Sequence, residues 1–189
     1  MAYRERGSDM KRVVLFFAEG TEEVEALTPV DILRRAGAEV VIAGVGGTVL
    51  AGSHGIRITA DIAADEINGG DYDMAVLPGG MPGTKHLDAS CDVERCLAEV
   101  SAQGGFLAAI CAAPMVLGRL GYLAGKSAVC YPGFESCLEG ASISKSKVCR
   151  DGKVITAAGA GAAMEFALAL VGALFGEQTE EQVRRSVLA

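Results

Sequence analysis

Short apolar runs alternate with longer stretches of helical period along this chain. Val13-Val14-Leu15-Phe16-Phe17 predicts a first strand, and a helix follows over 21–36 that Gly37 ends. Glu39-Val40-Val41-Ile42-Ala43 predicts a second strand. Met74-Ala75-Val76-Leu77 predicts a third, stopped by Pro78-Gly79-Gly80. A helix is expected over 93–102, a strand over Phe106-Leu107-Ala108-Ala109-Ile110 and a helix over 112–120. Lys153-Val154-Ile155-Thr156 reads as a late strand, 162–175 as a helix and 178–187 as a last, amphipathic helix. The strands are apolar at nearly every position instead of every second one, a pattern of strands covered on both faces. Alternation with helices then predicts an α/β fold, a mostly parallel sheet with helices on both sides. No repeat or linker divides the chain. A single domain is expected over 11–188, after a polar leader or tag remnant over 1–10.

In such sheets the ligand site lies beyond the carboxyl ends of the strands. The loops to read are therefore Ala18-Glu19-Gly20, Pro78-Gly79-Gly80, Cys111-Ala112 and Ala158-Gly159-Ala160-Gly161. The first of these leads into Glu22, Glu23 and Glu25, which would repel a phosphate. Neither a dinucleotide nor a P-loop glycine pattern stands there. A nucleotide carrier is disfavoured.

Composition narrows the chemistry further. The 189 residues carry a net charge of −7, with 25 Gly, six Cys, two His and no Trp. No broad basic stripe offers itself to nucleic acid, and no apolar run approaches the ~20 residues of a membrane span. Two His exclude a His-rich metal site, and no cofactor or metal is expected. With no CxxC and no apolar N-terminal signal, the six thiols are expected reduced in a cytoplasmic protein.

One of them stands apart. Cys111 joins the apolar strand 106–110 to the small-residue helix Ala112-Ala113-Pro114, a strand-to-helix elbow that projects a side chain above the sheet. Free N–H groups and the helix dipole there are expected to lower its pKa. Cys91 and Cys96 are expected partly exposed at the start of a surface helix, and Cys130 is a second, weaker candidate. The available partners are acidic. Glu25 shares a partly apolar helix face with Thr28, Pro29 and Ile32, while Glu22 and Glu23 lie nearer the open helix start. A carboxyl desolvated beside a thiol would have a raised pKa and could share its proton with sulfur.

The segments Glu19-Gly20-Thr21-Glu22-Glu23-Val24-Glu25-Ala26, Leu77-Pro78-Gly79-Gly80, Ala108-Ala109-Ile110-Cys111-Ala112-Ala113-Pro114 and Gly159-Ala160-Gly161 with Glu165-Phe166-Ala167 occur in this order. So does Pro29-Val30-Asp31-Ile32-Leu33-Arg34-Arg35-Ala36-Gly37, between the first two. In them the chain resembles the ThiJ/PfpI superfamily, in its parkinsonism-associated deglycase-like (ThiJ) branch. The resemblance implies a flavodoxin-like three-layer sandwich and a homodimer. It implies a reactive, oxidation-prone Cys111, with Glu25 as the protonated glutamate bonded to sulfur and the Gly80 and Ala112 N–H groups as an oxyanion pocket. Gly79, Gly159 and Ala160 fall in the pocket wall, Ala160 where the family commonly has Pro. Tyr131 stands where many members carry His. Its hydroxyl donates a hydrogen bond, with an ordinary pKa about 10, far from the range of an acid–base shuttle. His54 lies where relatives often have Arg near the dimer seam.

The function this implies is a cofactor-independent glyoxalase or deglycase acting on α-oxoaldehydes, methylglyoxal to lactate, in carbonyl and oxidative stress defence. The alternative is a redox-sensing cysteine protein or chaperone without turnover. A cysteine protease ranks below both: the protease branch has His directly after its Cys, and here that residue is Ala112.

Overall fold

A computed structural model describes residues 10–189; the expected leader, Met10 apart, lies outside the described residues. The chain runs β1 (Arg12–Ala18), α1 (Glu23–Arg35), β2 (Glu39–Val45), β3 (Val49–Ala51), β4 (Arg57–Thr59), β5 (Ile62–Ala63) and β6 (Met74–Leu77). It continues with α2 (Gly83–Asp88), α3 (Cys91–Ala102), β7 (Phe106–Ile110), α4 (Pro114–Arg119), β8 (Ser127–Ala128), β9 (Ser142–Ile143), β10 (Val148–Asp151) and β11 (Val154–Ala157). Helices α5 (Ala163–Phe175) and α6 (Glu177–Ser186) close it. Seven strands form the central sheet in the order β10-β11-β7-β6-β1-β2-β5. All pair in parallel except β10, which runs antiparallel to β11.

The pleat of β1 explains the unbroken apolar runs. Val13, Leu15 and Phe17 enter one core with Leu33 of α1 and Phe166 and Val171 of α5. Val14, Phe16 and Ala18 enter the other with Leu87 of α2, Leu97 and Val100 of α3 and Leu117 of α4. Both faces are dry, so both sets of alternate residues are apolar. This is the flavodoxin-like three-layer sandwich.

Several boundaries differ from expectation, each for a local reason. Helix α1 begins at Glu23, not Thr21, because Thr21 is folded into a tight turn: its Oγ1 accepts the Ala18 N–H at 3.0 Å. Helix α4 begins at Pro114, because Cys111 has left-handed backbone that a helix cannot include. Cys96 is fully buried, not partly exposed, since it shares the inward face of α3 with Val93, Leu97 and Val100; Cys91 is exposed. The hairpin β3–β4, the parallel pair β8–β9, and strands β5 and β10 were not expected from the apolar pattern, nor was α2.

Candidate active site

The carboxyl ends of β1, β6, β7 and β11 converge on Cys111. Its φ of 65° is in the left-handed region, a conformation costing a non-glycine residue roughly 1–3 kcal/mol. Two backbone bonds hold it there: the Cys111 N–H donates to the Ala157 carbonyl at 2.9 Å, and the Cys111 carbonyl accepts the Tyr131 N–H at 2.8 Å. The turn lifts the half-buried thiol off the sheet end, where the backbone N–H groups of Gly80 and Ala112 hydrogen-bond its sulfur. Gly80 has φ +88°, which suits a residue without Cβ and turns its N–H toward the sulfur.

Glu25 comes from the first turn of α1 and is 1% exposed. Its Oε2 accepts the Gly79 N–H at 2.9 Å, and its carboxyl is hydrogen-bonded to the Cys111 thiol. This approach requires glycine at 79: a Cβ there would lie 2.6 Å from both Glu25 Oε2 and Cys111 Cβ. Burial raises the Glu25 carboxyl to about 7; the bonds from Cys111 and Gly79 oppose this, and the charge of Glu22 adds to it. The Cys111 thiol is pushed up to about 12, by burial first and then by the charge and hydrogen bond of Glu25. The expected lowering is therefore overturned. The Gly80 and Ala112 N–H groups do favour a thiolate, but burial and the neighbouring carboxylate outweigh them. The site is a carboxyl and a thiol placed to exchange one proton, beside two N–H donors.

Tyr131 is 51% exposed, and its ring edge closes over Gly159: a Cβ on that glycine would lie 3.2 Å from Tyr131 Cδ2 and 3.9 Å from Glu25 Oε1. Cys111, Glu25, Gly79, Gly80, Ala112, Tyr131 and Gly159 are thus brought together. Ala160 is exposed in the 3-10 turn that follows Gly159. His54 sits in the β3–β4 turn, held by acidic neighbours, with Nδ1 3.0 Å from Glu23 Oε2 and 3.5 Å from Glu22 Oε2. Cys130 is buried, and burial raises its thiol to about 11.

Some contributors carry no side-chain signal in the sequence. The Ala157 carbonyl and the Tyr131 N–H act through backbone; the register of β11 on β7 brings the first to Cys111, and the loop after β8 brings the second. Glu23, expected near the open helix start, is buried instead. Desolvation raises its carboxyl, but bonds from its own backbone, the His54 side chain and the His54 and Ile56 N–H groups outweigh that and hold it down at about 2. A metal could be shared, among the described residues, by Glu22, Glu23 and His54, whose ligand atoms lie within 4.8 Å of one another; these atoms already bond or pair with each other.

Comparison with known proteins agrees with this fold. A sequence model described as the DJ-1/PfpI family matches residues 11–173. The chain is similar to protein DJ-1 homolog B of Arabidopsis thaliana, with 38% identity over 179 residues, 93% of this chain and 41% of the relative. It spans less than half the length of that protein and of its A homolog. It is also similar to the glutathione-independent glyoxalase DJR-1.2 of Caenorhabditis elegans, with 33% identity over 180 residues, 94% and 96% of the two chains. Among solved structures, oxidized Toxoplasma gondii DJ-1 superposes with a TM-score of 0.90 at 36% identity, covering 94% of this chain and 98% of that one. No helix of the described residues is long and apolar enough to cross a membrane.

Proposed function

The chain belongs to the DJ-1/PfpI family, and on that footing we propose that it converts α-oxoaldehydes to hydroxy acids without a cofactor, as a glyoxalase or deglycase. The observation that carries this reading is Cys111, held in left-handed backbone with the Glu25 carboxyl at its sulfur. The sulfur adds to the aldehyde carbon of methylglyoxal as its proton passes by way of Glu25 to the aldehyde oxygen, giving a hemithioacetal and leaving Glu25 ionised. The Gly80 and Ala112 N–H groups, now on the sulfur, stabilise the developing oxyanion. Glu25 then moves a proton from the former aldehyde carbon to the ketone carbon through an enediol, leaving a lactoyl thioester. Water cleaves the thioester, releasing lactate and the thiol, so methylglyoxal and water are consumed one for one. Tyr131 roofs the pocket and limits water around the adduct.

The test is lactate formation from methylglyoxal by wild type, Cys111→Ser and Glu25→Gln. We expect Cys111→Ser at background and Glu25→Gln down by about 10²–10⁴. Wild-type turnover no faster than Cys111→Ser overturns the reading.

A second reading is a redox sensor, in which peroxide takes Cys111 to sulfinate. Its support is the pair of backbone N–H groups already on the sulfur, which could bond sulfinate oxygens, and the relative solved in an oxidized state. Either reading includes a cytoplasmic homodimer. The exposed Val24 on α1 and Val49 and Ile56 around the β3–β4 hairpin support the dimer.

A further inference from the structure

The turn that carries the backbone donors of the Cys111 pocket is flanked by acidic residues, with Glu22 next to it along the backbone. The Glu22 N–H donates to the Gly79 carbonyl at 3.0 Å. A Cβ on Gly80, whose own N–H bonds the Cys111 sulfur, would come within 2.4 Å of the Glu22 backbone nitrogen. Glu22 is thus the first layer outside the oxyanion donor. Its side chain is 19% exposed and tied down, its Oε2 accepting the Ser53 hydroxyl at 2.9 Å. Behind it lies the Glu23 carboxylate, 4% exposed. Beyond it is Glu19, whose Oε2 accepts the Ala51 N–H at 2.8 Å. Against these three carboxylates stand two imidazoles, His54, 69% exposed, beside Glu22 and Glu23, and His86, whose Nδ1 lies 3.0 Å from the Glu19 carbonyl oxygen. The field of Glu22 reaches the bottom of the pocket, where it adds to the hold of Glu25 on its proton.

We propose that Glu22 is a charge filter at the mouth of the Cys111 pocket, admitting neutral and cationic carbonyl compounds and slowing anionic ones such as α-oxo acids. This rests on the α-oxoaldehyde reading and deepens it. A neutral aldehyde enters without penalty, and hydration and rearrangement leave a carboxylate. The product carries the charge that the rim repels, so the same residue that selects the substrate drives the product out.

Alkylation of Cys111 tests the filter without turnover. Iodoacetate and iodoacetamide share a leaving group and nearly a shape, and differ in one negative charge. Rates of modification at Cys111 itself, followed by peptide mass spectrometry because Cys91 is also exposed, give the ratio of anionic to neutral reagent. In Glu22→Gln this ratio is expected to rise about three- to tenfold over wild type. In Glu22→Asp, which keeps the charge, it stays near wild type. In wild type it rises with salt. A ratio unchanged in Glu22→Gln overturns the filter, as does Glu22→Asp behaving like Glu22→Gln. Because neither reagent needs the enzyme to turn over, loss of lactate formation sinks the glyoxalase reading alone, and an unchanged alkylation ratio sinks the filter alone.

Discussion

Cys111 and Glu25 share the buried end of the pocket, and their protons leave in two separated steps, one near pH 7 and one near pH 12. Between those steps a single proton is held by the pair, and a fixed fraction of molecules has it on Glu25 with the charge on sulfur. The rate of Cys111 alkylation by iodoacetamide is therefore expected to rise as pH passes through about 7 and then to level off. An isolated thiol would instead climb tenfold per unit toward its own pKa near 9. Glu25→Gln should lose the step near 7. A wild-type profile with no inflection below pH 8 contradicts the shared proton. The position of Cys111 is legible in the sequence, because a small-residue elbow after an apolar strand leaves few conformations; the partnership with Glu25 is implied there by the resemblance, since spacing alone does not choose among Glu22, Glu23 and Glu25. The direction of the thiol shift is not. It depends on how deeply the sulfur is buried and on the distance to one carboxylate, and neither quantity is encoded locally.

At the scale of elements, the turn between β1 and α1 sets where Glu25 begins its climb into the pocket. Thr21 is fully buried, with its hydroxyl on the Ala18 N–H and its own N–H on the Ala18 carbonyl at 3.1 Å. Thr21→Val keeps the shape and removes the acceptor, so a buried N–H is left unsatisfied. The expected loss is about 1–3 kcal/mol in urea unfolding, with slower Cys111 alkylation as the turn loosens. A variant as stable as wild type would show that the hydroxyl is replaceable. Strands β1, β6, β7 and β11 are legible because each is covered on both faces and apolar throughout. Strand β10, Val-Cys-Arg-Asp at the sheet edge, is half open to water and breaks that pattern. The three-residue strands of the β3–β4 hairpin are too short to show any period. The turn of that hairpin nevertheless delivers Ser53 and His54 to the pocket rim, so part of the site was carried by elements the apolar pattern does not show.

For the molecule as a whole, buried thiols set the alkaline limit. Burial raises Cys96 to about 12, Cys130 to about 11 and Cys111 to about 12, against an ordinary 9. A folded-state pKa above the unfolded one gives stability that is fully present below pH 9 and is lost as pH climbs through the folded values. Above the range in which Glu25 ionises, near pH 7, thermal midpoints should change little up to pH 8 and then fall steadily between pH 9 and 12. The drop from Cys96 would be on the order of a few kcal/mol and should be absent in Cys96→Ala. An equal alkaline slope in that variant would assign the loss elsewhere. The left-handed seat of Cys111 has a consequence in time as well as in energy. Its N–H acceptor is the carbonyl of Ala157, on a strand synthesised well after Cys111 itself. Until β11 slides in beside β7, one of the two backbone bonds that hold Cys111 in its strained form cannot be made. A growing or partly folded chain carries six ordinary cysteines, and the distinctive one comes into being only when the sheet closes.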